Sequence, residues 1–363
     1  MRSAIHRGST HGPGPLFPCM VRRMSRADRL ASLCEDTFSR LEDGDLEGAR
    51  KKLALAARID PQHPEVLSAQ AAIAAIDGEL DEAQALLAQA LERAPEHVGI
   101  LIQAADLALA LDPEQAVAHA RKATELADEE EDLVAAILVL AEAQVACERP
   151  ADARAALSEL ATSAIDEPEL ILDVAHAFLA AEDPTTAELW LRRLTTGDEP
   201  RVAADAWHAI GMCREAKNDR EGMINAWLET RRLDAAEGPT ELSISDEDLE
   251  TIVTATLEEL PENVRAHLAN VPLLVDDLPD EHLVRDGWDP RLLGLFTGTP
   301  LPEQSSVGGV PSVTNILLFR KNLERIAGDD PDMLAEEIRV TVLHETAHYF
   351  GLDEDDLEKI GLD

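Results

Sequence analysis

The chain has 363 residues, a formal net charge of −40 and a hydrophobic fraction of 45%, enough for sizeable cores. Such acidity argues against a phosphate backbone as partner, because that needs clustered Lys and Arg, so no nucleic acid is expected. No run reaches the eighteen or so apolar residues of a membrane span, and no membrane partner is expected either.

Residues 1–24 are rich in Arg, Gly and Pro and have no apolar stretch like that of a signal peptide; they are expected to be a disordered extension. Met20 and Met24 are alternative starts, since the helical pattern opens only at Ser25. Without an export signal, the expected setting is the cytoplasm. Four cysteines (Cys19, Cys34, Cys147, Cys213) have no short spacing between them. They make neither a zinc knuckle nor a disulfide framework, and a reducing compartment suits them.

From 25 to 235 the chain repeats itself. Asp43-Gly44-Asp-Leu46-Glu-Gly-Ala49 returns as Asp77-Gly78-Glu-Leu80-Asp-Glu-Ala83, an offset of 34 residues. Leu53 and Leu87, Ala56 and Ala90, and Pro61 and Pro95 keep that offset. Weaker echoes follow at Asp112–Ala116, Arg149–Ala153, Asp183–Ala187 and Asp219–Gly222. Aromatics are only 3% of the chain, and Ala and Leu take their place, which points to helices packed through small residues. The period, the turn glycine and the closing proline resemble the tetratricopeptide (TPR) repeat. The resemblance implies an α-helical solenoid of about six helix hairpins, stacked because none can bury its apolar face alone. It also implies a protein partner in the groove of the array. The segment has few lysines (Lys51, Lys52, Lys122, Lys217), so the clamping of a C-terminal carboxylate is not inferred. Trp190, Trp207 and Trp227 read as core between hairpins more than as groove contacts.

A Gly/Pro-containing break at 236–245 separates this array from a last domain at 246–363. There Asp246–Leu260 reads as an amphipathic helix and Pro261–Asn270 as a short helical piece. Val271–Val275, Leu292–Thr297 and Asn315–Arg320 read as strands. The expected whole is a TPR-like solenoid followed by a small α+β domain with a three- or four-stranded sheet.

A final long helix is expected from Asp330, as N-cap, with Pro331 in the first turn and Met333, Leu334, Ile338, Leu343 and Phe350 as apolar positions. It carries His344-Glu345-Thr-Ala-His348-Tyr-Phe-Gly351-Leu-Asp-Glu354, that is, His-Glu-x-x-His-x-x-Gly-x-x-Glu. His344 and His348 share a helix face and can hold one metal ion, with Zn2+ expected. Glu345 lies where its carboxylate can take a proton from a water, as a catalytic base and not a ligand. Gly351 suits a helix C-cap, after which the chain can return with a third ligand. Glu354 is the expected third ligand, with Asp355 and Asp353 behind it; Asp353 reads better as the N-cap of a short last helix, Glu354–Ile360.

Residues 246–363 also resemble the minimal zincin-like metallopeptidases of bacteria. The matching pieces are Glu259-Leu-Pro-Glu-Asn263, Leu273-Leu-Val-Asp-Asp277, Leu293-Gly-Leu-Phe-Thr-Gly-Thr-Pro-Leu301, Ile316-Leu-Leu-Phe-Arg320 and the histidine motif. The resemblance implies a compact zincin fold, zinc on the two histidines and an acidic third ligand after the glycine. The expected function is a zinc-dependent metallopeptidase, more an endopeptidase than an exopeptidase, cutting a peptide or protein substrate. An extended substrate is expected to pair with the edge of Leu292–Thr297 or Asn315–Arg320. His282 and Tyr349 are weaker candidates for transition-state stabilisation than for ordinary loop and packing roles. The alternative is a non-catalytic interaction scaffold with a structural or degenerate zinc domain.

Overall fold

The computed structural model describes residues 25–163, 165–197, 199–238, 243–268, 271–301 and 314–352. The chain divides into two compact units, Met1–Val139 and Leu140–Asp363. The expected disordered extension at 1–24, with Cys19, Met20 and Met24, lies outside the described residues. No helix among the described residues is long and apolar enough to cross a membrane.

In the first unit α1 (Arg26–Glu42), α2 (Leu46–Ile59), α3 (Pro64–Ile76), α4 (Leu80–Arg93), α5 (Val98–Leu109) and α6 (Pro113–Leu126) follow one another, and the division falls within α7 (Glu130–Ala146). Three hairpins form: α1 with α2, α3 with α4 and α5 with α6. The repeat signature explains them. Gly44 and Gly78 take φ of +73° and +78°, a left-handed turn open to glycine without steric penalty. Asp45 then caps α2 by accepting from Gly48 N at 2.8 Å. The small residue after each turn, Ala49 or Ala83, is fully buried, as are Ala56 and Ala90. A larger side chain there would force the hairpin apart.

The second unit begins with α8 (Pro150–Leu157), a 3-10 turn at Ser158–Thr162, α9 (Pro168–Ala180), α10 (Pro184–Leu191), α11 (Pro200–Ala216) and α12 (Arg220–Ala236). Here the left-handed turn position is held by Glu148, Glu182 and Asn218, with φ of +58°, +60° and +58°. The turns are therefore retained without their glycine, which is why the repeat is faint in this part of the sequence. Gly211 has a separate role. A Cβ on it would lie 2.0 Å from Trp227 Nε1, so its bare backbone lets Trp227 lie against α11.

The same unit continues with α13 (Asp246–Glu259), α14 (Glu262–Leu268), β1 (Leu273–Asp276), α15 (Glu281–Asp286), β2 (Gly294–Thr297), β3 (Asn315–Phe319), α16 (Arg320–Ala327) and α17 (Pro331–Tyr349). The sheet order is β1-β3-β2, with β1 parallel and β2 antiparallel to β3. Leu249 and Val253 of α13, Ile316 and Leu318 of β3, Leu323 of α16 and Leu334, Ile338 and Val342 of α17 form one core. Because β3 is central, both its edges are already paired. It is not open to an extended substrate, which corrects the expectation for Asn315–Arg320; Arg320 instead opens α16. Among the described residues β2 is an edge strand.

The α11–α12 hairpin is fastened to this core. Trp227 is 3% exposed and clusters with Met223 and with Val284 of α15. Asp234 of α12, 1% exposed, pairs with Arg325 at 2.7 Å and Arg291 at 3.1 Å. Asp205 of α11 holds Arg291 at 2.7 Å, and His208 meets Asp289 at 2.9 Å. Arg291 and Asp289 belong to the segment that leads into β2, so the hairpin braces that segment directly.

Candidate metal centre

α17 begins as its sequence dictates. Asp330 accepts from Asp332 N at 2.9 Å and Met333 N at 3.2 Å, and Pro331 occupies the first turn, where no amide donor is needed. The stripe Leu334, Ile338, Val342 faces the core, whereas Met333, another of the apolar positions, is 45% exposed. Continuing the same stripe by helical spacing reaches Glu345 and Tyr349. Hence Glu345 is 6% exposed, a carboxylate on the inner face of the helix, and Tyr349 is 5% exposed.

The two histidines meet. Their rings lie 4.7 Å apart, centroid to centroid, at 83°, and His344 Nε2 is 3.0 Å from His348 Nε2. The helix end sets one of them. Leu352 N donates to Ala347 O at 3.1 Å and Gly351 N to His348 O at 3.0 Å. This is a Schellman turn, with Gly351 at φ +84° in the position expected of it. The turn swings the Leu352 carbonyl back to 3.0 Å from His348 Nδ1. An Nδ1–H donated there leaves the lone pair on Nε2, the tautomer a metal-binding histidine needs.

Two imidazole nitrogens sharing one zinc at about 2.0–2.1 Å in tetrahedral geometry stand roughly 3.3 Å apart. The observed pair therefore fits a shared divalent ion. Among the described residues no group of three His, Cys, Asp or Glu gathers around one point. The expected third ligand Glu354, its alternatives Asp355 and Asp353, and the helix Glu354–Ile360 lie outside the described residues.

Glu345 is covered by the start of β2. A Cβ on Gly294 would lie 2.7 Å from Thr341 Cγ2, 2.8 Å from Glu345 Cγ and 2.9 Å from Glu345 Oε1. Only glycine lets this edge strand cross the helix at that distance. The segment before it is pinned. Asn322 Nδ2 donates to Pro290 O at 3.0 Å and Leu292 O at 2.7 Å, and Phe319 N donates to Leu293 O at 2.9 Å. Gly294, Asn322 and the Leu352 carbonyl escaped the sequence reading. A glycine opening an apolar strand was the one available signal for close backbone approach.

The remaining candidates take their ordinary roles. Tyr349 packs on Phe350 at 5.1 Å and Phe296 at 6.0 Å. His282 stands on α15, largely exposed, 3.5 Å from Asp286. Trp227 is core, while Trp190 is half-buried with Arg193 over its ring at 5.0 Å. Cys34, Cys147 and Cys213 are free thiols, and burial pushes Cys34 and Cys213 up to about 11, so these two stay protonated.

Pseudomonas aeruginosa pilF superposes with a TM-score of 0.45 at 17% identity, over 58% of this chain and 95% of that one. A tetratricopeptide repeat protein from Parabacteroides merdae gives 0.36 at 17% identity, over 56% and 93%. At such scores neither likeness says anything of function. No curated protein matches the chain. Residues 268–362, which include β1 to β3 and the whole of α17, match the family model of the zincin-like metallopeptidases.

Proposed function

We propose that the chain is a zinc-dependent endopeptidase in which His344, His348 and Glu354 hold the metal and Glu345 is the general base. The observation that carries this reading is the convergence of His344 Nε2 and His348 Nε2 at 3.0 Å, one residue away from a buried carboxylate. Zinc, when bound, supplies Lewis acidity toward a carbonyl and lowers the pKa of water toward neutrality. The remaining work belongs to side chains and backbone. His348 is held in the binding tautomer by the Leu352 carbonyl. Glu345, shielded on its strand side by Gly294, takes a proton from the attacking water and returns it to the departing amine. The edge of β2 supplies amides and carbonyls to align an extended substrate.

A division of labour between 25–235 and 246–363 belongs to the same proposal: the hairpins recruit a protein substrate or regulator, and the sheet with α17 cuts. A reducing, cytoplasmic setting suits the free thiols. The test is metal content and peptide turnover of the full chain and of Glu345→Gln. The variant is expected to keep zinc and lose cleavage. A wild type that binds zinc yet cuts nothing in a broad peptide library refutes the peptidase reading and leaves the scaffold.

A further inference from the structure

In the first unit, helices α1, α3, α5 and α7 wall a groove of about 680 Å³. Its floor is apolar, with Ala71, Ala72 and Ala75 of α3 and Ile100 and Leu107 of α5, and Ile76 at its margin is 57% exposed. One polar pair crosses the floor: the Ser68 hydroxyl donates to Gln103 Oε1, and Gln103 Nε2 donates to Ser68 O at 3.2 Å. Around this surface stand three carboxylates, Glu42, Glu65 and Asp106, and among the described residues no lysine or arginine lines it.

The unit's lysines are engaged elsewhere. Lys51 pairs with Glu47 at 2.7 Å, Lys52 pairs with Asp36, and Lys122 donates to Pro95 O at 2.5 Å. Glu65 has His97 at 3.7 Å, whose Nδ1 accepts from Ile100 N at 3.4 Å. Asp106 stands exposed at the rim of the groove, with no cation within ion-pairing distance among the described residues, and the partial cover of its carboxyl raises its pKa. Carboxylates on the rim of an apolar groove complement a ligand that brings apolar side chains together with a cation.

We propose that this groove docks an apolar peptide segment carrying a lysine or arginine, with the cation set against Asp106 and Glu65 and the apolar side chains on the alanine floor. The segment belongs to a protein partner. A second copy of the chain is disfavoured by the mutual repulsion of two bodies at −40 each. A ligand presenting a carboxylate would meet like charge. The proposal names the chemistry of the partner in the recruiting role given to the hairpins, and it is read by binding alone, so failure of the peptidase assignment leaves it standing.

The test uses the full chain carrying Glu345→Gln, which keeps any probe intact. The probe is a fluorescein-labelled dodecapeptide of alternating leucine and lysine pairs, followed by anisotropy. Two counterparts carry glutamate for lysine and serine for leucine. The first probe is expected to bind and the counterparts to bind at least tenfold more weakly. Asp106→Asn is expected to weaken binding about tenfold, the range for losing one charge-assisted contact. Asp106→Glu restores most of it, and Ala72→Arg, which places a cation in the groove, abolishes it with circular dichroism unchanged. Glu159→Gln, on an exposed carboxylate that does not line the groove, leaves it unaltered. Equal binding of the glutamate probe, indifference to the groove substitutions, or equal weakening by Glu159→Gln overturns the proposal. So does self-association of the chain that Ala72→Arg abolishes, because the groove then holds a second copy.

Discussion

Replacing Gly294 by alanine tests how closely β2 governs the carboxylate beneath it. The added methyl stands 2.7 Å from Thr341 Cγ2 and 2.8 Å from Glu345 Cγ. Carbon atoms settle at about 3.5–4.0 Å, so each contact is short by roughly 0.7 Å or more. The strand cannot simply lift away, because Asn322 holds Pro290 O and Leu292 O while Arg291 is paired to Asp234 and Asp205. Part of the displacement therefore falls on Glu345. Overpacking of this kind destabilises by about 1–3 kcal/mol. For a unit of this size that is a fall of roughly 2–12 °C in Tm. A catalytic group moved by about 1 Å loses on the order of a hundredfold in rate. Calorimetry and peptide turnover read the two effects separately, and zinc content is expected to stay at the wild-type level because neither histidine is touched. Adding Thr341→Ser removes one of the clashes and is expected to recover part of the stability but not turnover. A Gly294→Ala protein with unchanged Tm and unchanged kcat would falsify the close-approach account.

Three further outcomes are expected. Asp234→Ala strands Arg291 and Arg325 beside the remaining carboxylates Asp205 and Glu237, and should destabilise the second unit by about 3 kcal/mol in urea unfolding; a loss under 1 kcal/mol contradicts a structural role for the cluster. At Glu188, burial raises the carboxyl, but Arg214, Lys217 and Arg192 outweigh it and hold it at about 2, below the ordinary 4.5. Its folded value being depressed, the stabilisation is complete above pH 4.5 and is lost as pH falls toward 2. Acid titration of stability should therefore be shallower in Glu188→Gln than in wild type across that window, and parallel curves would exclude the cluster. Chelation should lower the Tm of wild type and not of His344→Ala, since bound metal stabilises only a protein that holds it; equal shifts in both would assign the effect to the chelator.

Much of this was legible in the residues themselves. The first two repeats announce their turns through Gly44 and Gly78, because only glycine enters the left-handed region freely. Asp330-Pro331 and Gly351 bracket α17 because capping and the C-terminal turn are local events of a few residues. The later turns at Glu148, Glu182 and Asn218 were obscure. There the left-handed position is held by residues other than glycine, so no turn glycine marks it in the sequence.

Local chemistry thus settled the helices, their ends, and the sharing of one face by His344 and His348, since these depend on neighbours within a turn or two. Only tertiary structure decided that β3 is central and β2 the edge, that Gly294 lies across Glu345, and that α11–α12 grips the segment entering β2. Those contacts join residues tens of positions apart. Strand order, backbone approach and buried ion pairs are settled by how whole elements pack, and no short stretch of chain encodes that alone.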